Sequence, residues 1–229
     1  MARFVNAPLG KLRGALGDAL FRKKNGKFLV GIKPDDFMPG DDVASVNRRS
    51  RFGLTAKFSK AVNMNAHLKK VWDAATPDTM SPFNGVLKEN YHRITNDTVT
   101  DDALLTPELD AFTVVKDTVT VSPTQIQVAL EIIGTNNLID PLTEINIEMA
   151  VVIFHDDAVD ADLHPPVYFQ SFKSGDVPLS LIAPLTFTID LLDNDTRTYN
   201  WYSTHKAFFA FYTLDADGKV VNHSITILQ

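Results

Sequence analysis

Lys206-Ala207-Phe208-Phe209-Ala210-Phe211-Tyr212-Thr213-Leu214 is the stretch on which the fold turns. Its aromatic residues, Phe208, Phe209, Phe211 and Tyr212, are interleaved with Ala207 and Ala210, and the run stops at Asp215-Ala216-Asp217-Gly218. Aromatic side chains suit a pleated surface, and Asp-Gly tolerates the positive φ of a tight turn. A strand over residues 206–214 and a return strand over 219–228 are therefore expected. Toward the N-terminus, strand patterns recur over residues 112–121, 125–133, 144–154, 166–172 and 181–191. Ser122-Pro123, Gly134 to Asn137 and Ser174-Gly175-Asp176 supply turn chemistry between them. Seven short strands at this spacing predict an antiparallel sandwich over residues 111–229. The chain has no cysteine, so the Cys–Trp–Cys set of antibody domains is excluded, which leaves a fibronectin-like or other Ig-like sandwich.

Upstream of residue 111 the apolar period lengthens to about 3.6. Asp41 and Asp42 are placed to cap a helix, and Val43, Val46, Phe52 and Leu54 supply its apolar positions, with Gly53 expected to interrupt it. Leu54, Phe58, Ala61, Val62, Leu68, Val71 and Trp72 continue at helical spacing toward Ala75. Ser81-Pro82 opens a further helix, proline being harmless at the first helical position; it is expected to bury Phe83, Val86, Leu87 and Tyr91 and to end near Ile94. Residues 96–110 are polar and acidic and read as a linker. Residues 1–17 read as irregular or extended. Ala19-Leu20-Phe21-Arg22 and Lys27 to Ile32 flank Asn25-Gly26, a strong hairpin signal. The expected architecture is α+β: a basic N-terminal arm and hairpin (1–40), short central helices (41–95), a linker (96–110) and a C-terminal antiparallel Ig-like β-sandwich (111–229).

Charge is divided along the chain. Residues 1–70 hold 15 of the 22 lysines and arginines against five acidic residues, a balance of +10. Residues 71–229 hold seven against 23, a balance of −16. Such a split points to a polyanion, whose phosphates release counterions on neutralisation, or to the acidic body of a neighbouring copy. The candidate contact residues are Arg22, Lys23, Lys24 and Lys27 at the hairpin and Arg48, Arg49 and Arg51 on the first helix.

Composition and motifs narrow the chemistry. At 229 residues and 45% hydrophobic the chain can bury a core, which excludes disorder. Without cysteine there is no thiolate nucleophile, CxxC centre or Cys-ligated zinc. No apolar run reaches about 20 residues, so no membrane span is expected. Met1 to Gly10 carry one charge, Arg3, and no apolar stretch, so no secretory signal is expected and the location reads as cytoplasmic or virion. Gly10, Gly14 and Gly17 are spaced GxxxGxxG, which is not a phosphate loop.

The acidic cluster from His155 to His164 matches neither a calcium loop nor an HExxH site, and it reads as a solvated loop. Asp190, Asp193 and Asp195 read as a second acidic turn. His67, His92, His205 and His223 stand apart from one another in sequence and read as surface or satisfied residues. No nucleophile elbow or paired-carboxylate motif occurs. No cofactor, metal or small-molecule substrate is implied. Trp201, Tyr202, Tyr168 and Phe169 read as core aromatics before they read as a sugar platform.

The opening Met1-Ala2-Arg3-Phe4, the spaced Gly10, Gly14 and Gly17, and Asn25-Gly26-Lys27 resemble an uncharacterised family of Bacteroidota and phage-associated proteins. So do Arg48 to Phe52, the Pro82 to Tyr91 segment with Asn84 and Asn90, and the ending Ala207 to Phe211 with Asp217-Gly218, Asn222 and Ser224. The resemblance implies a shared layout, with a basic N-terminal part, a helical centre and a β-sandwich end; it carries no activity and no functional residues. The expectation is thus a non-enzymatic structural subunit, a virion or filament component that self-assembles through its basic N-terminal arm as a homo-oligomer. A nucleic-acid-binding accessory protein and an adhesion or carbohydrate-binding module are the alternatives.

Overall fold

The computed structural model describes residues 2–4, 14–16, 19–24, 27–32, 40–134 and 138–229. The chain divides into two compact units, Met1–Val46 and Asn47–Gln229. In the first, β1 (Ala2–Phe4), β2 (Gly14–Leu16), β3 (Ala19–Lys24) and β4 (Lys27–Ile32) form an antiparallel sheet in the order β1-β4-β3-β2. β3 and β4 pair from Ala19↔Ile32 to Lys24↔Lys27, the two-residue spacing that Asn-Gly predicts. The turn residues themselves, Gly10, Gly17 and the Pro34–Pro39 break lie outside the described residues. Residues 1–17, expected as irregular or extended, contribute β1 and β2; three-residue strands are too short for a period to register.

The second unit is built on two long strands, β7 (Asn146–Ala158) and β11 (Tyr202–Leu214), paired antiparallel from Tyr202↔Ala158 to Leu214↔Asn146. β8 (Val167–Lys173) flanks β7 and β12 (Val220–His223) flanks β11; β9 (Val177–Pro178) and β13 (Ile227–Leu228) add short pairings to β7 and β11. A separate antiparallel sheet has the order β10-β6-β5, with β5 at Lys116–Val121, β6 at Gln125–Leu130 and β10 at Leu185–Asp190. The helices are α1 (Val43–Met64), α2 (Ala66–Ala75), α3 (Pro82–Asn90) and α4 (Asp193–Asn200). The molecule is therefore mixed α+β and mostly antiparallel β.

The large sheet is covered on both faces. Ala150, Val152, Phe154, Phe208, Ala210 and Tyr212 pack with Leu54, Phe58, Val62, Leu68, Trp72 and Val86 of the helices. On the opposite face Ile147, Met149, Val151, Ile153, Phe209 and Phe211 meet Ile126, Val128, Leu130, Leu185 and Phe187 of the three-stranded sheet. A strand buried on both faces has no polar side to alternate with, which is why residues 207–212 carry no charge. The helical segment expected as a separate region is thus one layer of a three-layer core. The supposed linker is also part of it: Val99, Ala103, Leu104, Leu105 and Thr106 are buried. Its backbone is satisfied from a distance, with Leu104 N–H donating to Asn90 Oδ1 at 2.7 Å and Leu105 N–H to Thr226 Oγ1 at 2.8 Å. Polar composition hid four apolar anchors.

Helix boundaries follow local chemistry. Asp42 Oδ1 accepts the Ser45 N–H at 2.9 Å, the cap expected of it. Gly53 does not interrupt α1, which runs unbroken to Met64. The break falls at Asn65, whose side chain accepts from His67 N and Leu68 N and so starts α2. Ser81 caps α3 with Pro82 in its first turn, but the helix ends at Asn90, short of Ile94. Asn90 is buried and spends its amide on Val86 O and Leu104 O instead of continuing the helix outward. Gly85 has a reason of its own, because a Cβ there would overlap Thr76 Oγ1. The expected acidic turn at Asp193 and Asp195 is the first turn of α4, where carboxylates suit the positive end of the helix dipole.

Candidate functional site

The seven basic residues singled out in the sequence fall in different units. Arg22, Lys23, Lys24 and Lys27 belong to β3 and β4, opposite Leu29, Phe28, Lys27 and Lys24 respectively. Successive strand residues face opposite sides, so Arg22 and Lys23 do not share a face. Arg22, Lys23 and Lys27 are exposed, and Lys23 Nζ lies 5.8 Å from the Phe28 ring centre. Arg48, Arg49 and Arg51 are on α1: the first two are exposed, while Arg51 is half-buried with its guanidinium 5.8 Å from the Tyr91 ring centre. The helical layer adds Lys57, Lys60, Lys69 and Lys70, all exposed. No acidic residue occurs between Asp42 and Asp73. That acid-free interval was the signal by which these four lysines were findable.

Two polar clusters lie inside the core, and sequence reasoning found neither. The first centres on Glu148 of β7, which is 1% exposed. Its Oε2 accepts from Tyr212 Oη at 2.6 Å and contacts His67 Nδ1 at 2.9 Å, while Oε1 accepts from Lys173 Nζ at 2.9 Å. Register places Tyr212 directly opposite Glu148 across β7 and β11, and the Asn65 cap holds the start of α2 where His67 reaches in. Burial alone would raise the carboxyl's pKa. The hydrogen bonds with Asp176, Tyr212, Lys173 and His67 outweigh it and hold the group at about 2. Asp176, bonded to Glu148, is raised, first by that bond and then by burial. Tyr212 is raised by burial and then by its bond to Glu148. A carboxylate this acidic is a poor base at neutral pH, and a phenol this weakly acidic is a poor proton donor. What the cluster does is tie α2, β7, β8 and β11 together.

The second cluster lies at the far end of the same two strands. His155 is fully buried, and its Nδ1 is 2.8 Å from His205 Nδ1. His205 is stacked on Tyr199 of α4 with ring centres 3.7 Å apart. Two facing nitrogens need one proton between them. His155 Nε2 and Gln170 Oε1 are both buried, and neither is within hydrogen-bonding geometry of a partner. One imidazole donates through Nδ1 and the other accepts there. His155 is pushed down to about 4, first by burial and then by the His205 charge, with the Gln170 side chain opposing. Burial lowers His205 as well. Both imidazoles are neutral at pH 7. The sequence set His67 and His205 apart as isolated; in the fold each has a partner 2.8–2.9 Å away.

Among the described residues no three histidine or carboxylate side chains converge to hold a metal ion. Of the acidic cluster, His155 to Ala158 form the end of β7 and the remainder is the connection to β8. Of the aromatics expected in the core, Tyr202 is buried with its hydroxyl on Pro165 O, whereas Tyr168 is exposed and Trp201, stacked on His164 at 4.3 Å, is 40% exposed. A cleft of about 620 Å³ opens beside Trp72, Pro77, Met80, Leu104 and Pro107, and another of about 550 Å³ separates α1 from β8. Among the described residues no helix is long and apolar enough to cross a membrane. Comparison with protein-family models returns no match, and comparison with curated proteins returns none either.

Proposed function

We propose that this chain is a non-enzymatic assembly subunit, a structural component of a phage-like virion or a filament, whose basic leading part grips the acidic body of the next copy. The observation that carries the reading is the sign division of +10 over residues 1–70 against −16 over the rest. The exposed Arg22, Lys23 and Lys27 within a small sheet unit of their own add to it. The body is read as an Ig-like sandwich with a helical cover, which two facing antiparallel sheets support. A non-enzymatic role fits buried titratable groups whose pKa values stand far from neutrality. In this reading the protein works in the cytoplasm or within a virion.

The test is light scattering of the full chain over a concentration series at low and high salt. Assembly that grows with concentration and recedes with salt is expected, because exposed charge contacts are screened. Arg22→Glu, Lys23→Glu, Lys24→Glu and Lys27→Glu together should stop that growth with concentration. A monomer at every concentration and salt would end the proposal. The acid-free interval with Arg48, Arg49, Arg51, Lys57, Lys60, Lys69 and Lys70 favours a second reading, a nucleic-acid-binding accessory protein. Retention on DNA or RNA that falls steeply with salt is its signature, and absence of retention at low salt removes it.

A further inference from the structure

A groove of about 550 Å³ opens between α1 and β8. β8 is the terminal strand on its side of the large sheet, and the groove is lined by Lys57, Lys60, Met64, Pro165, Val167 and Phe169. Met64 in its lining is 68% exposed, Val167 and Phe169 are partly buried, and the two exposed lysines, three residues apart on α1, give it a positive rim. Immediately before Pro165 the chain runs through Val159-Asp160-Ala161-Asp162-Leu163-His164. Val159 and Leu163 in this loop are 72% and 75% exposed, and Asp157, Asp160 and Asp162 around them are exposed too.

The loop is already ordered for contact. Asp160 Oδ1 accepts from Asp162 N and Leu163 N, and the His164 ring lies flat on Trp201. A segment held in one conformation loses little entropy on binding. None of the described ion pairs uses Lys57, Lys60, Asp157, Asp160 or Asp162.

We propose that the groove receives loop 159–164 of a second copy of this chain, in an isologous dimer. Three properties lead there. The groove is positive and apolar, whereas the loop is negative and carries two exposed aliphatic side chains. The two lie side by side on one molecule, sharing the His164–Pro165 peptide. A two-fold axis beside that junction sets each loop against the other copy's groove, so both halves of the contact form at once and the assembly closes at two. Val159 and Leu163 leave water against Val167, Phe169 and Met64, and the aspartates face Lys57 and Lys60. The contact rests on the assembly reading only in that copies must meet; it uses none of the hairpin bases.

Sedimentation and light scattering of the full chain test it, with circular dichroism confirming that each variant is folded. With Arg22, Lys23, Lys24 and Lys27 reversed to Glu, so that only the groove contact is left, the chain should run as a species of twice 25.4 kDa. Lys57→Glu with Lys60→Glu should raise the dissociation constant by about tenfold or more, and adding Asp162→Lys should recover part of that loss. Leu163→Asp should abolish the dimer through the apolar half of the contact. A dimer indifferent to the lysine reversal and to Leu163→Asp overturns the proposal. If association persists in those variants and vanishes only with the hairpin reversal, the groove contact is removed and the assembly reading stands. A chain that is monomeric throughout removes both.

Discussion

Glu148 shows how a single residue acquires meaning only from its surroundings. In sequence it is one acid within Asn146-Ile147-Glu148-Met149-Ala150-Val151, and a charge inside a run buried on both faces is the one sign that it needs partners. In the fold it has three donors within 3 Å. Its pKa is lowered from 4.5 to about 2. The folded state therefore binds this proton less readily than the unfolded chain, so the stabilisation is complete above pH 4.5 and disappears as pH falls toward 2. The shift corresponds to about 3 kcal/mol. Chemical denaturation of Glu148→Gln at pH 7 should show a loss of this order, and its stability should vary less than the parent's between pH 4.5 and 2. His155 gives the same sign in another window. Its lowering from 6.5 to about 4 means that stability is present above pH 6.5 and is lost as pH falls toward 4, where the unfolded chain binds a proton that the buried ring does not. Urea midpoints measured from pH 7 to pH 4 should fall in the parent and flatten in His155→Gln.

At the scale of elements, the boundaries that capping chemistry controls were the readable ones. Asp42 and Ser81 start helices where their side chains can accept backbone N–H groups. Asn65 does the same, but it sits inside a continuous helical period, and period alone cannot distinguish one long helix from two with a cap between. Gly53 illustrates the converse: a glycine costs about 1 kcal/mol in a helix and tertiary packing overrides it. Asn65→Ala should lower stability by about 1 kcal/mol. It should also loosen His67 from Glu148, which a shift of the His67 ring resonances would report. α4 escaped the sequence reading because Asp193-Asn194-Asp195-Thr196-Arg197-Thr198 has no apolar face; among its residues none is fully buried. Its first-turn aspartates and the Thr196 hydroxyl on Pro123 O hold it instead.

At the scale of the whole molecule, both hydrophobic clusters lie within residues 47–229 and share the large sheet. A cavity in either should be felt by the entire unit. Phe209 is completely buried against the three-stranded sheet, so Phe209→Ala should cost about 3–5 kcal/mol. The four hairpin charge reversals should leave the thermal transition of that unit in place. A calorimetric scan of both variants separates the outcomes: a hairpin variant that melts early would tie the N-terminal bases to the stability of the core.

The amino-acid sequence by itself determined that the chain is α+β, that its C-terminal half is antiparallel, where several helices begin, and that its charge is split by sign. These are consequences of local periodicity, capping chemistry and composition, which act within a few residues. Tertiary structure alone decided that the helices and the two C-terminal antiparallel sheets share a core and that the polar stretch before residue 111 is packed. It also decided that Glu148 and His155 find their partners 64 and 50 residues away in the chain. Strand pairing makes those meetings, and a side chain carries no local mark of what will stand opposite it.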